Sequence, residues 1–232
     1  MCRLLIASKR GIMEYEKQHG LLELLDHLEI ENGGHGNGYA LVQDKKIIAC
    51  DKGITLKNSD INAKLLTYDY DFALYHTRIS TVGDITDANC HPFIFDRPDH
   101  SFILAMNGHE PNFEGISDAL RVTDTEIIFN ILKNVRFLSD VVMALDSLNS
   151  AFAGSFDGLP FVFKQGKDLL EFYTPNFNAN DFFYASSFPV YTFEDISNFF
   201  LLPVKFGFVD GEIFGCPTKC RNTQRGYNFN GN

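Results

Sequence analysis

Apolar positions switch along the chain between two periods. Cys2-Arg3-Leu4-Leu5-Ile6-Ala7 is an apolar run of strand length. From Glu14 to Leu28 the period lengthens: Leu21, Leu22, Leu24, Leu25 and Leu28 recur at three- and four-residue spacing and predict one helix. The cluster Asn32-Gly33-Gly34-His35-Gly36-Asn37-Gly38 predicts a loop. Tyr39–Val42 and Ile47–Cys50 flank Asp44-Lys45-Lys46 and predict a hairpin. A short helix over Asp60–Leu66 and a strand over Asp71–Arg78 follow. The segment Ile79–Pro92, rich in Ser, Thr, Asp and Gly, predicts a polar loop. Ser101–Met106 reads as a strand running straight into Asn107-Gly108. Thr123 with Glu126 three residues on is a capping-box pattern, so a helix is expected over Asp124–Val135. A second helix is expected over Phe137–Leu148. Strand-like runs then recur at Ala151–Phe156, Phe161–Lys164, Leu169–Tyr173, Phe182–Ala185 and Val204–Asp210. Strands gathered toward both ends, with helices between, predict a layered α+β architecture. No repeat or Pro/Ser linker divides the chain, so a single domain over residues 1–232 is expected.

Composition narrows the class. Hydrophobic residues make up 45% and charged residues 22%, a balance that supports a packed core rather than disorder. Acidic residues outnumber basic ones 30 to 20, for a net charge of −10. Nucleic acid is therefore not an expected partner, because its affinity comes largely from Lys and Arg on phosphates. No stretch approaches the roughly 18 apolar residues of a membrane span. The opening MCRLLIASKR returns to charge without a small-residue cleavage site. No membrane partner and a cytoplasmic location are expected. The five cysteines, Cys2, Cys50, Cys90, Cys216 and Cys220, are an odd count and suit a reducing compartment. Cys216 and Cys220 form a C-x3-C pair, but a structural zinc site needs two more ligands nearby. Neither metal nor cofactor is expected.

Four short segments carry chemistry. Removal of Met1 would make Cys2 the N-terminal residue. Its thiol would sit beside an α-amine of reference pKa about 7.7–8.0, uniting nucleophile and base in one residue. In His76-Thr77-Arg78-Ile79-Ser80-Thr81-Val82-Gly83, Arg78 at a strand end can grip a carboxylate, and Thr81 can add a hydroxyl donor. Asn107 and Gly108 offer a side-chain amide and a closely approaching backbone N–H, as an oxyanion hole needs. Asp124 in Thr123-Asp124-Thr125-Glu126 can meet an ammonium group. Taken singly, each has a plain structural explanation: a buried strand cysteine, a surface arginine, an Asn-Gly turn, and an acid favouring a helix N-terminus. His76, His91 and His109 fall near these segments and are expected to be structural or loop residues.

Their joint order is more specific. Met-Cys, then HTR-x-ST-x-G, then NG, then TDTE resembles the class II glutamine amidotransferases, which are N-terminal nucleophile hydrolases. The opening MCRLL looks most like the compact stand-alone members. The resemblance covers roughly residues 2–130, and Ala185-Ser186-Ser187-Phe188-Pro189 is a weaker echo. It implies a four-layer αββα sandwich of two stacked antiparallel sheets. It also implies that Cys2 attacks the side-chain amide of glutamine or of a γ-glutamyl compound. Asn107 and Gly108 match the oxyanion hole, Arg78 with Thr81 the α-carboxylate site, and Asp124 the α-amine site. The sequence departs from the sugar-phosphate branch at Val82, where that branch has His. It also reads His35-Gly36-Asn37-Gly38 where an acidic residue is frequent. Three roles remain open: an amidotransferase giving ammonia to a synthase subunit in trans, a free-standing γ-glutamyl amide hydrolase, and a catalytically silent scaffolding or regulatory subunit.

Overall fold

A computed structural model of the chain describes residues 2–164, 171–172, 181–189 and 200–201. The expected strand over Val204–Asp210, most of that over Leu169–Tyr173, and Cys216 and Cys220 lie outside these residues.

The first strand, β1 (Arg3–Ser8), is buried at every position. It has to be, because it has covered neighbours on both faces and both edges. Ser8 ends it and caps the next helix, α1 (Lys9–His19), by accepting a hydrogen bond from the Gly11 N–H at 3.1 Å. The single helix expected over Glu14–Leu28 is instead two. Gly20, at φ 81°, ends α1, and α2 (Leu21–Asn32) begins at the next residue. The apolar period runs on through this break, so periodicity alone conceals it; only a glycine takes that φ without strain. The predicted hairpin forms as β2 (Asn37–Gln43) and β3 (Lys46–Gly53), with Asp44 and Lys45 at positive φ in the turn. Asn37 and Gly38, expected in the loop, already belong to β2. Helix α3 (Asn58–Thr67) and strand β4 (Phe72–Thr77) follow as expected.

Three elements were not expected, the last of them a short strand at Phe200–Leu201. After the polar loop, Phe93–Arg97 forms β5 and pairs with β6 (His100–Asn107). Asp96 and Arg97 break its apolar signal. Helix α4 (Glu114–Leu120) has no strong periodicity and precedes α5 (Asp124–Leu132). The Thr123 hydroxyl caps α5 by accepting from the Glu126 N–H at 3.0 Å, as the sequence pattern requires. Helix α6 (Leu138–Leu145) then leads to β7 (Ala151–Phe156) and β8 (Leu159–Lys164). The short strands β9 (Glu171–Phe172), β10 (Phe183–Ala185) and β11 (Phe200–Leu201) complete the sheets.

The strands form two antiparallel sheets, ordered β3-β2-β4-β1-β10-β9 and β11-β8-β7-β6-β5. Alternation along each strand sets the layers. Leu4 and Ile6 of β1 join Ala40, Val42, Phe72 and Leu74 against Ile103, Ala105, Ala151, Ala153 and Val162 of the second sheet. Leu5 and Ala7 point the other way, onto Ile12, Tyr15, Leu24, Leu28, Ile61 and Leu65 of α1, α2 and α3. The far face of the second sheet packs Phe102, Leu104, Phe152, Phe161 and Phe163 against Ile128, Phe129, Val141 and Leu145 of α5 and α6. Three apolar cores between four layers make the expected αββα sandwich. Full burial of each such side chain contributes about 1.5–3 kcal/mol, and phenylalanine supplies much of the third core.

Candidate active site

Three strand ends and one helix start meet at one end of the sandwich. The β1–β4 register pairs Arg3 with Thr77 and Leu4 with His76, so Cys2 before β1 and Arg78 after β4 are neighbours. Strand β6 of the opposing sheet ends at Asn107, followed by Gly108. Asp124 opens α5. Of the six residues singled out from the sequence, Cys2, Arg78, Thr81, Gly108 and Asp124 line one small cleft. The sixth, Asn107, is fully buried beside it.

Cys2 is 7% exposed, and its thiol donates to the Ile79 carbonyl at 3.4 Å. Burial pushes the thiol up to about 11; the Ile79 hydrogen bond and the Arg78 charge offset only part of this. A preformed thiolate is thus disfavoured, and attack needs a base at hand. Gly108 has φ 154°, a conformation that favours glycine and leaves no Cβ at the cleft wall.

Arg78 is buried, and its surroundings differ from an open clamp. NH1 donates to the Asp84 carbonyl at 2.9 Å. NH2 donates to the Val82 carbonyl at 2.9 Å, the Ser80 hydroxyl at 3.2 Å and the Gly83 carbonyl at 3.3 Å. The guanidinium therefore threads the loop through its own carbonyls. Its five N–H groups are more than these bonds use, and Nε–H with one N–H of NH1 has no hydrogen bond among the described residues. Asp124 is buried too, which raises its pKa from the usual carboxylate value. Its Oδ2 accepts from the Glu110 N–H at 2.9 Å and its Oδ1 from the Thr125 N–H at 2.8 Å. His109 Nδ1 lies 3.4 Å from Oδ2. The Glu110 side chain in turn accepts from the N–H groups of Asn149 and Ser150 and the Ser150 hydroxyl, at 2.7–2.8 Å. The cleft lining thus carries one basic side chain, Arg78, and one acidic one, Asp124, the charge pattern that a zwitterionic head group requires.

The family model "Glutamine amidotransferases class-II" matches residues 23–176 of this chain. The chain belongs to the class II glutamine amidotransferases. A Saccharomyces cerevisiae protein named "Putative glutamine--fructose-6-phosphate aminotransferase" is 28% identical over 149 residues, covering 58% of this chain and 55% of that protein. This amidotransferase thus spans about half the length of that relative. Among solved structures, a glutamine phosphoribosylpyrophosphate amidotransferase from B. subtilis superposes with TM-score 0.58 at 20% identity, over 80% of this chain and 42% of that one. A second, described as the allosteric regulatory enzyme of purine biosynthesis, gives TM-score 0.59 at 20% identity over the same shares. These two likenesses establish the fold.

His76 and His91, expected from the sequence to be structural or loop residues, are both buried, and His91 joins the cleft lining alongside Met106, Thr123 and Thr125. A histidine in a polar loop and one inside an apolar strand give no sign that they meet. Among the described residues no group of three or more His, Cys, Asp and Glu is placed to hold a metal ion. No helix among them is long and apolar enough to cross a membrane.

Proposed function

We propose that the chain hydrolyses the side-chain amide of glutamine through Cys2, once Met1 has been removed. The reading rests on one observation: the predicted nucleophile, carboxylate clamp, oxyanion donor and ammonium partner line a common cleft in a member of this family. Arg78 and Thr81 take the α-carboxylate and Asp124 the α-ammonium, which fixes the side chain over Cys2. The thiol attacks the amide carbon as its proton passes to the freed α-amine, directly or through a water. The Asn107 amide and Gly108 N–H hold the oxyanion. The α-amine gives its proton to the leaving nitrogen, ammonia departs and a glutamyl thioester remains. Water adds to the thioester, releasing glutamate and restoring the thiol. The raised thiol pKa suits this order, since proton transfer accompanies attack instead of preceding it.

We infer also that residues 1–232 form one domain of this kind. Support comes from the pairing of β10 with β1 and of β11 with β8, which ties late chain into both sheets. We infer too that any transferred ammonia goes to a synthase partner, and that the reaction takes place in the cytoplasm.

The test is labelling of the purified native protein with an electrophilic glutamine analogue, with intact mass measured beforehand. The expected result is a mass without Met1, one label on Cys2, and neither label nor glutamate release in Cys2→Ala. An active protein that retains Met1, or a label elsewhere, refutes the mechanism. Cleavage of γ-glutamyl amines without cleavage of glutamine refutes the substrate while keeping the chemistry.

A further inference from the structure

His76 and His91 form a buried imidazole pair whose tautomers the geometry determines. His76 Nε2 lies 3.0 Å from the Met106 carbonyl oxygen and 2.9 Å from His91 Nδ1. A carbonyl oxygen only accepts, so His76 carries its proton on Nε2. That shared proton makes His91 Nδ1 an acceptor, because a proton there would face another N–H. A neutral imidazole has a single N–H, so His91 carries it on Nε2. Burial keeps both rings neutral: His76 is pushed down to about 3 and His91 well below its ordinary value, with Arg78 and Lys52 adding to the effect. Phe93 packs on the His91 ring at 5.0 Å between centroids and helps fix its plane.

His91 Nε2 is buried and has no hydrogen-bond partner among the described residues. His91 nonetheless lines the cleft with Cys2, Met106 and Gly108. A buried donor without an acceptor costs about 1–3 kcal/mol, a cost that a ligand oxygen removes.

We propose that His91 is a further substrate-contacting residue of this cleft, its Nε2–H donating to the oxygen of the reacting amide beside Asn107 and Gly108. This rests on the amide-hydrolysing function proposed above. The head group already has Arg78 and Asp124 as charged partners. The relay ends on the Met106 carbonyl, on the strand end that continues into Asn107-Gly108, which places His91 at the acyl end. A neutral donor of fixed tautomer suits an oxygen that is uncharged in the ground state and gains charge as the thiol attacks.

The test compares glutamine hydrolysis by the wild type, His91→Phe, His91→Asn and His91→Gln. The Asn amide nitrogen falls near the place of Nδ1, the Gln amide nitrogen near that of Nε2. Loss of one oxyanion donor is expected to lower kcat about 10²–10³-fold in the Phe and Asn variants with little change in KM, and His91→Gln to recover at least about tenfold. Unchanged kcat in His91→Phe, an effect on KM alone, or Asn matching Gln overturns the assignment. A second measurement needs no substitution: long-range 1H–15N spectra of histidine-labelled wild type. The expected result is the Nε2–H form of His91 and a shift of that nitrogen on saturation with glutamate. An Nδ1–H form, or no response to glutamate, overturns it. A wild type inactive on glutamine would sink the function and His91 together; an active wild type with an unimpaired Phe variant removes His91 alone.

Discussion

Replacing Arg78 separates two roles that one guanidinium holds. Its two shortest bonds, both 2.9 Å, go to the carbonyls of Asp84 and Val82 and hold the loop that follows β4. Hydrogen bonds from a charged donor contribute about 1.5–3 kcal/mol each, so Arg78→Met removes roughly 3–6 kcal/mol of loop attachment before relaxation. Apolar packing by Met and rearrangement of the loop return part of it, leaving an expected loss of about 3 kcal/mol. With a urea slope of about 1–3 kcal/mol/M, the unfolding midpoint should fall by roughly 1–3 M. The same substitution removes the proposed carboxylate partner, and a loss of about 3 kcal/mol in binding corresponds to roughly a hundredfold rise in KM for glutamine. Arg78→Lys should recover less than half of either effect. One ammonium nitrogen cannot reach carbonyls that NH1 and NH2 serve separately. Urea denaturation and steady-state glutamate release read the two roles independently. An unchanged midpoint refutes the loop attachment, and an unchanged KM refutes the carboxylate clamp.

Two further outcomes follow from the packing. His76 has its pKa depressed to about 3 in the folded state against 6.5 unfolded, so the unfolded chain binds the proton first. The neutral ring therefore stabilises the fold above pH 6.5, and this contribution fades as pH falls toward 3, by about 2 kcal/mol between pH 6.5 and 5. Arg78 and Lys52, the cations acting on both rings, stay charged over this window. Urea unfolding at pH 7 and pH 5 should show a loss smaller in His76→Gln than in the wild type; equal losses contradict the buried neutral pair. Gly11→Ala places a Cβ 2.4 Å from the Phe182 carbonyl oxygen and 3.2 Å from Ser8 Oγ. Alanine ordinarily favours a helix over glycine by about 1 kcal/mol, whereas this crowding should destabilise by about 1–3 kcal/mol, and a rise in melting temperature would refute the close approach.

Much of this architecture was legible because burial and alternation agree. Strands β1, β2, β4, β6 and β7 are apolar runs bounded by polar turns, and the Thr123 cap marks the start of α5 in sequence as in structure. Gly20 was not legible as a break, since the leucine period continues across it. Strand β5 was missed because its outer half is Asp96-Arg97, and edge strands tolerate charge. In the site, residue types at strand ends and at a helix start pointed to Arg78, Gly108 and Asp124, which one cleft brings together. What they could not announce is what Arg78 grips at home: three carbonyls of its own loop are backbone groups, which any sequence would supply. The His76–His91 contact was hidden for a related reason, as it depends on how far the polar loop folds back over β4.

The place of β1 in its sheet bears on biosynthesis. It pairs on one side with β4 and on the other with β10, where Leu5 meets Ala185. Strand β1 thus gains its second neighbour only after a further ~175 residues, from Ser8 to Phe183, have been made. At about 5–20 residues per second, its open edge waits roughly 10–40 s for β10. Until then that edge offers unpaired backbone N–H and C=O groups, a template for pairing with another chain, so the arrival of β10 protects the folding protein as well as completing the sheet.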